Sequence, residues 1–190
     1  MDDNAVKNEI VETAKDYFMK FGYSRVSTAE IADDAGRSKK TLYKHFPTKE
    51  ALLAAVIERV NRTVETEIIG LLGDAALSHE DRLRQVLERI GVHLVSVGSV
   101  LYDDLESKEP GLYSQARQQQ RQVLADLLHA LLRQAIEAQA FRTDIQVDVT
   151  IATFLAAVEA LAKPAAVAHH ADEPTVLFRT LVTWLIAGLK

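Results

Sequence analysis

The sequence predicts an all-α protein of about nine helices, and three observations support this fold class. Apolar residues recur every three to four positions through most of the chain, which is the spacing of amphipathic helices. No stretch alternates polar and apolar residues as a half-buried strand does. Glycine, proline and capping residues lie between the periodic segments, where helices are expected to end. We expect a three-helix N-terminal domain at 1–48 and a second helical domain at 49–190.

The first two helices have recognisable ends. Gly22 is expected to end the first helix, because a residue without a Cβ enters the left-handed region at no steric cost. Ser27 and Glu30 have the spacing of a capping box, so the second helix should begin at Thr28 and stop at Gly36. The apolar residues of the first helix are Val6, Ile10, Ala14, Tyr17, Phe18 and Phe21.

The third predicted helix is short and cationic. Ser38 is placed to cap it, and it runs from Lys39 to Phe46 with Leu42 and Phe46 as its inward anchors. Two short helices joined by a glycine turn, the second carrying cations and hydrogen-bond donors, are typical of a helix-turn-helix. Such a motif places its second helix in the major groove of double-stranded DNA.

The candidate DNA-binding side chains lie on this recognition helix and at the starts of its neighbours. Residues in its first turn can reach base edges, and donors further along it can contact phosphates, which positions the protein without reading sequence. The alternatives are that the lysines are only solvated and that the serines and threonine only begin helices. The set is Thr28, Ser38, Lys39, Lys40, Thr41, Tyr43, Lys44, His45 and Lys49.

The distribution of charge is compatible with DNA binding, although the formal net charge is -5. Residues 24–49 contain six basic and three acidic side chains, so the positive charge is local to the predicted motif. An apolar content of 48% is ample for a folded core. The absence of cysteine excludes disulfides and thiolate metal sites.

The first 60 or so residues resemble the DNA-binding domain of the tetracycline-repressor-like (TetR/AcrR) family of bacterial regulators. The order and spacing of many residues carry the resemblance, and Arg37 and Lys40 differ from the family pattern by adding positive charge. The resemblance implies a transcriptional regulator, most often a repressor, with a C-terminal domain that binds a small-molecule effector and dimerises. The matching residues are Gly22, Ser27, Ile31, Ala32, Ala35, Gly36, Ser38, Thr41, Leu42, Tyr43, Phe46, Lys49, Glu50 and Leu52.

The second domain is predicted to contain the remaining helices. A linking helix near 48–66 should end at Gly70 and Gly73, and a long helix should run from about Tyr113 to Ala140. The last two helices, near 147–162 and 174–189, are apolar on more than one face. This surface is either intramolecular core or the interface of a homodimer, as the family resemblance implies.

Polar and aromatic residues among the apolar helical faces are the candidates for effector binding, although each is individually more typical of packing or surface. They are His93, Tyr102, Asp103, Tyr113, Arg117, Phe154 and Glu159, with His129 as a further residue of this kind. His169 and His170 lack the spacing of a metal site, and no cofactor is expected. No catalytic motif is present, so an enzyme is not predicted.

These observations predict a dimeric, effector-released repressor on a pseudo-palindromic operator. The alternative is a helical ligand-binding or interaction module that no longer binds DNA. The acidic start, Met1 to Asn4, lacks the pattern of a secretory signal, and no segment is apolar enough to span a bilayer. We therefore expect a cytoplasmic protein without membrane contact.

Overall fold

The computed structural model of the chain describes residues 3–74, 76–96, 99–161 and 174–190. These residues form nine α-helices and no strand, which confirms the predicted fold class. The helices are α1 (Asp3–Phe21), α2 (Thr28–Asp34), α3 (Lys39–His45), α4 (Lys49–Leu72), α5 (His79–Ser96), α6 (Ser99–Lys108), α7 (Pro110–Glu137), α8 (Val147–Leu161) and α9 (Pro174–Leu189).

The chain divides into two compact units, and their limits differ from the predicted boundary at 48/49. The first unit contains residues 1–62 and 97–119, and the second contains 63–96 and 120–190. The difference arises because the first half of α4, together with α6 and the start of α7, completes the core around the three N-terminal helices. The helices α4 and α7 therefore contribute residues to both units.

The core of the first unit is formed by the inward faces of α1 to α4 and α6. Ile10, Phe18, Ile31 and Leu42 are almost completely buried, and Leu101 of α6 is buried in the same cluster. The predicted apolar spacing of α1 is confirmed at Val6, Ile10, Ala14 and Phe18, whereas Phe21 is exposed.

The second unit is a helical bundle with an aliphatic core from α4, α5, α7, α8 and α9. Its buried residues include Leu87, Leu128 and Leu155. Gly91 of α5 allows close packing, since a Cβ there would lie 3.1 Å from the ring of Phe178. No helix in the described ranges is long and apolar enough to cross a membrane.

Three predicted helix ends were wrong. Gly70 does not end the linking helix, because α4 continues through it to Leu72, immediately before the other predicted stop at Gly73. The long helix begins at Pro110 and not at about Tyr113, since the missing N–H of proline costs no helical hydrogen bond at the first position of a helix. The end of α7 is at Glu137, and Gln139 follows with a φ of 57°.

Candidate nucleic-acid interface

The helix-turn-helix of α2 and α3 is held by local hydrogen bonds at its caps. Ser27 accepts a hydrogen bond from the backbone N–H of Glu30, and the Glu30 carboxylate accepts one from the N–H of Ser27 at 2.8 Å. Gly36 has a φ of 64°, and the N–H of the following residue donates to the Ala32 carbonyl at 2.8 Å. Ser38 accepts from the N–H of Thr41 at 3.0 Å. The predicted capping box, glycine turn and cap of α3 are therefore confirmed.

The first turn of α3 presents two exposed lysines. Lys39 and Lys40 are solvent-exposed, and neither forms an ion pair within the described ranges. Thr41 is half-buried, and its hydroxyl lies 2.8 Å from the hydroxyl of Ser38. The two ammonium groups are therefore available to a partner, whereas the hydroxyls of Ser38 and Thr41 are hydrogen-bonded to each other.

A second pair of hydroxyls joins the two helices of the motif. The Oγ1 of Thr28, at the start of α2, lies 2.9 Å from the hydroxyl of Tyr43 on α3. Thr28 is buried, whereas Tyr43 is 43% exposed. This hydrogen bond brings together two predicted phosphate contacts, one from each helix.

Three other basic residues of the motif face acidic residues of α1, an arrangement that the sequence did not predict. The Nζ of Lys44 lies 3.0 Å from Oδ1 of Asp3, and the Nε2 of His45 lies 3.7 Å from the same oxygen. The hydrogen bond from Lys44 lowers the pKa of the Asp3 carboxyl below its ordinary value. Arg37 donates from Nε to the Glu9 carboxylate at 3.1 Å.

Lys49 lies at the start of α4, as predicted, but its ammonium group is engaged within the unit. Its Nζ donates to the carbonyl of Tyr23 at 2.6 Å and lies 4.2 Å from the centre of the Tyr23 ring. Partial burial lowers the pKa of Lys49. A phosphate contact by this ammonium would therefore compete with the Tyr23 carbonyl.

The turn between α1 and α2 is attached to α6 through one carboxylate. The Oδ2 of Asp104 accepts a hydrogen bond from the backbone N–H of Ser24 at 2.6 Å. Gly22 has a φ of 83°, and a Cβ at this position would lie 3.0 Å from the Cβ and Cγ of Asp104. Only glycine accepts this backbone conformation and this approach together. The contact joins residues 80 positions apart, so no local sequence pattern indicates it.

Four of the predicted effector contacts belong to the first unit, and three of them lie together. The guanidinium of Arg117 is 4.0 Å from the ring centre of Tyr102 and 5.5 Å from that of Tyr113. Tyr102 is buried, and burial raises the pKa of its hydroxyl. Asp103 is exposed, so it does not join this cation-π cluster.

The other three predicted effector contacts belong to the second unit and have different surroundings. His93 is buried, and its Nε2 lies 3.4 Å from Nε2 of Gln120, a buried residue that the sequence analysis missed. Phe154 is part of the apolar core, and Glu159 forms an ion pair of 3.4 Å with Arg121.

No group of three or more histidine or acidic residues suited to a metal ion occurs in the described part of the chain. His169 and His170, which the sequence analysis had considered as metal ligands, lie outside the described residues.

The helices α8 and α9 each carry an exposed row of small or apolar residues. Val149, Ala152 and Ala156 are exposed at helical spacing on α8. On α9, Val176 and Trp184 are exposed eight residues apart, and the Trp184 side chain is 71% exposed. An exposed tryptophan of this degree is unusual on a surface that contacts only water.

The fold and the capped, cationic α3 define the chain as an all-helical helix-turn-helix protein. Residues 10–56 match the family model of bacterial regulatory proteins, tetR family, so the N-terminal helix-turn-helix region is similar to the DNA-binding domain of that family. It is 32% identical over 116 residues to the nucleoid occlusion factor SlmA of Photobacterium profundum. That alignment covers 55% of this chain and 59% of the relative, so the chain spans less than two thirds of the relative's length.

Solved structures of low sequence identity share the fold. The regulator FadR from Bacillus subtilis, in complex with stearoyl-CoA, has a TM-score of 0.73 and 17% identity, and the superposition covers 96% of this chain and 98% of FadR. A TetR-family transcriptional regulator from Agrobacterium tumefaciens has a TM-score of 0.70 and 18% identity, with 100% of both chains covered. At this level of identity the likeness concerns the fold alone.

Proposed function

We propose that the protein is a transcriptional repressor that binds a pseudo-palindromic DNA operator as a homodimer and is released by a small molecule. The observation that carries the proposal is the capped pair α2 and α3, with Lys39 and Lys40 exposed on the first turn of α3. Residues at this position of a helix-turn-helix reach base edges in the major groove. Tyr43 and Thr28 are assigned to phosphate contacts beside them.

The homodimer is proposed to form through α8 and α9. Burial of Trp184 and of the exposed row on α8 against a second copy would remove apolar surface from water. A single recognition helix contacts few base pairs, so a second copy doubles the specific site. A two-fold dimer would place its two α3 helices in successive major grooves, roughly 34 Å apart.

The effector is proposed to be a mainly apolar molecule with a polar or charged group. The buried His93 and Gln120 of the second unit supply orienting groups for such a molecule. The Arg117 cluster of the first unit is a separate candidate for a charged group. Stearoyl-CoA is the first probe to test, since the FadR structure contains it. The remaining candidates are Asp103, Phe154 and Glu159.

Release is proposed to be mechanical and to pass through α6. If the effector shifts α6, the hydrogen bond from Ser24 to Asp104 transmits the movement to the turn that precedes α2. The two segments approach closely at this point, because a Cβ at Gly22 would lie 3.0 Å from Asp104. The effector must bind the two states with unequal affinity, and couplings of this kind are typically about 1 to 3 kcal/mol.

The DNA-binding part of the proposal is tested by selecting bound sites from a random duplex library and measuring affinity by fluorescence anisotropy. Wild-type protein is expected to bind a selected site with strong salt dependence, and Lys39→Ala combined with Lys44→Ala is expected to weaken that binding. Lys108→Ala, an exposed lysine on α6, is the control. Stearoyl-CoA binding without any DNA binding would instead support the ligand-binding module.

A further inference from the structure

The acidic residues of α1 are placed opposite the cations of the DNA-binding motif. Asp3 faces Lys44 and His45 at 3.0 and 3.7 Å, and Glu9 pairs with Arg37. The first-turn lysines, Lys39 and Lys40, have no such acid in the described part of the chain. Asp3 and Glu9 of α1 therefore pair with Lys44 and Arg37, whereas the first-turn lysines have no carboxylate partner among the described residues.

We infer that Asp3 is a specificity-determining residue that competes with DNA phosphates for Lys44 and lowers the affinity for non-operator DNA. The inference rests on the proposed DNA-binding function. Phosphate contacts supply nearly all of non-specific affinity and carry no sequence information. A phosphate that approaches Lys44 competes with the Asp3 carboxylate for the ammonium group, whereas a base that approaches Lys39 or Lys40 displaces only water and counterions.

The geometry allows Asp3 to compete with a phosphate for Lys44 without preventing the phosphate from binding. The side chains of Asp3 and Lys44 are 72% and 68% exposed, so a phosphate can reach the ammonium group. Exposed ion pairs are weak, so the carboxylate exchanges readily for a phosphate on operator DNA, where base contacts add affinity. A purely structural role is the competing explanation, because an acid in the first turn of a helix stabilises that helix. That explanation predicts no change in DNA affinity when Asp3 is neutralised.

The experiment measures binding of the full chain to a labelled duplex of arbitrary sequence, about 30 base pairs long, at roughly 50 to 200 mM salt. Asp3→Asn is expected to tighten binding about two- to five-fold at low salt, and to steepen the slope of log K against log salt by about one. Asp16→Asn is the matched control, because Asp16 is an exposed acid of the same helix without an ion pair in the described part. It should change the affinity much less.

The role of Lys44 is tested by repeating the substitution in a Lys44→Gln background. There Asp3→Asn should have no effect on affinity, because the group for which Asp3 competes is absent. An equal gain with Asp16→Asn, or an undiminished gain in the Lys44→Gln background, would overturn the inference in favour of general charge repulsion. If the wild-type protein binds DNA with salt dependence and Asp3→Asn leaves the affinity unchanged, the inference about Asp3 is overturned and the proposed DNA-binding function is not. Absence of any DNA binding, even to selected sites, would overturn the proposed function as well.

Discussion

Both α3 and α9 have a face that is exposed among the described residues, but the chemistry of the two faces is opposite. On α3 the exposed residues of the first turn are Lys39 and Lys40, whose charges are well solvated by water. On α9 the most exposed large residue is Trp184, whose ring is poorly accommodated by water. The exposed tryptophan is therefore stronger evidence for a binding partner than the exposed lysines are. Exposed lysines are ordinary on any surface, whereas an exposed tryptophan beside other apolar residues is informative by itself.

The comparison also separates two kinds of recognition. The lysines of α3 indicate DNA binding only because they lie on the first turn of a capped helix-turn-helix. The α9 face needs no motif, since the free energy of burying apolar surface depends on area and not on sequence order. A substitution on one face should consequently leave the partner of the other face intact, except where DNA binding requires the dimer.

The largest effect is expected from Trp184→Glu. A charge at the centre of the proposed interface would have to be buried without a partner, so the dimer should give way to a 21.1 kDa monomer in sedimentation velocity. DNA affinity should fall about 100-fold or more, because one recognition helix loses the second half-site. Ile69→Glu, which changes another exposed apolar residue, is the control and should remain dimeric. A wild-type protein that sediments as a monomer at micromolar concentration would refute the interface.

The next largest effect is expected from the double substitution Lys39→Ala and Lys40→Ala. Loss of two cations from the first turn should weaken operator binding about 10- to 100-fold and reduce the salt dependence, as measured by fluorescence anisotropy. The sedimentation coefficient should not change, since α9 is untouched. Equal affinities of this variant and Lys108→Ala would show that α3 does not face DNA.

The sequence predicted the α3 region well because its determinants are local. The Ser27 and Glu30 capping box, the Gly36 turn and the Ser38 cap all act within five residues along the chain. Helix ends that depend on packing were predicted poorly, as Gly70 illustrates by lying inside α4. Glycine at this position lowers the helix propensity but does not end the helix by itself.

The contacts that restrain the candidate interface were not predictable, because they join distant positions. Asp104 and Ser24 are 80 residues apart, and Asp3 and Lys44 are 41 apart. Charges at such separations meet only once the helices have packed. For the same reason the buried pairing of His93 with Gln120, residues of α5 and α7, was not anticipated.

A smaller effect, on stability, is expected from Gly22→Ala, which tests the contact between the turn before α2 and Asp104 of α6. The new Cβ would occupy a left-handed backbone and meet Asp104 at 3.0 Å, so the free energy of unfolding should fall by about 2 kcal/mol. Gly70→Ala is the matched control, because a Cβ there meets nothing within 4 Å. This control should raise the free energy of unfolding by about 0.5 to 1 kcal/mol. Urea denaturation measures both, and equal destabilisation by the two variants would contradict the proposed tight approach.

The smallest effect is expected in the unit that contains α9, at the His129 and Asp148 pair. The Nε2 of His129 lies 2.6 Å from the Asp148 carboxylate, and this hydrogen bond raises the pKa of His129 above its ordinary value near 6.5. The protonated imidazole is favoured in the folded state, so the stabilisation is fully present below about pH 6.5. It is lost as the pH rises through the raised pKa.

Asp148→Asn should remove this pH dependence and lower the free energy of unfolding by about 0.5 kcal/mol or less at pH 6, because the pair is largely exposed. Urea denaturation at several pH values measures the change in stability, and an NMR titration of His129 measures its pKa. Asp103→Asn, an exposed acid of the other unit, is the control. If His129 titrates identically in wild type and Asp148→Asn, the hydrogen bond between them does not stabilise the folded protein, and the pH dependence of this unit has another origin.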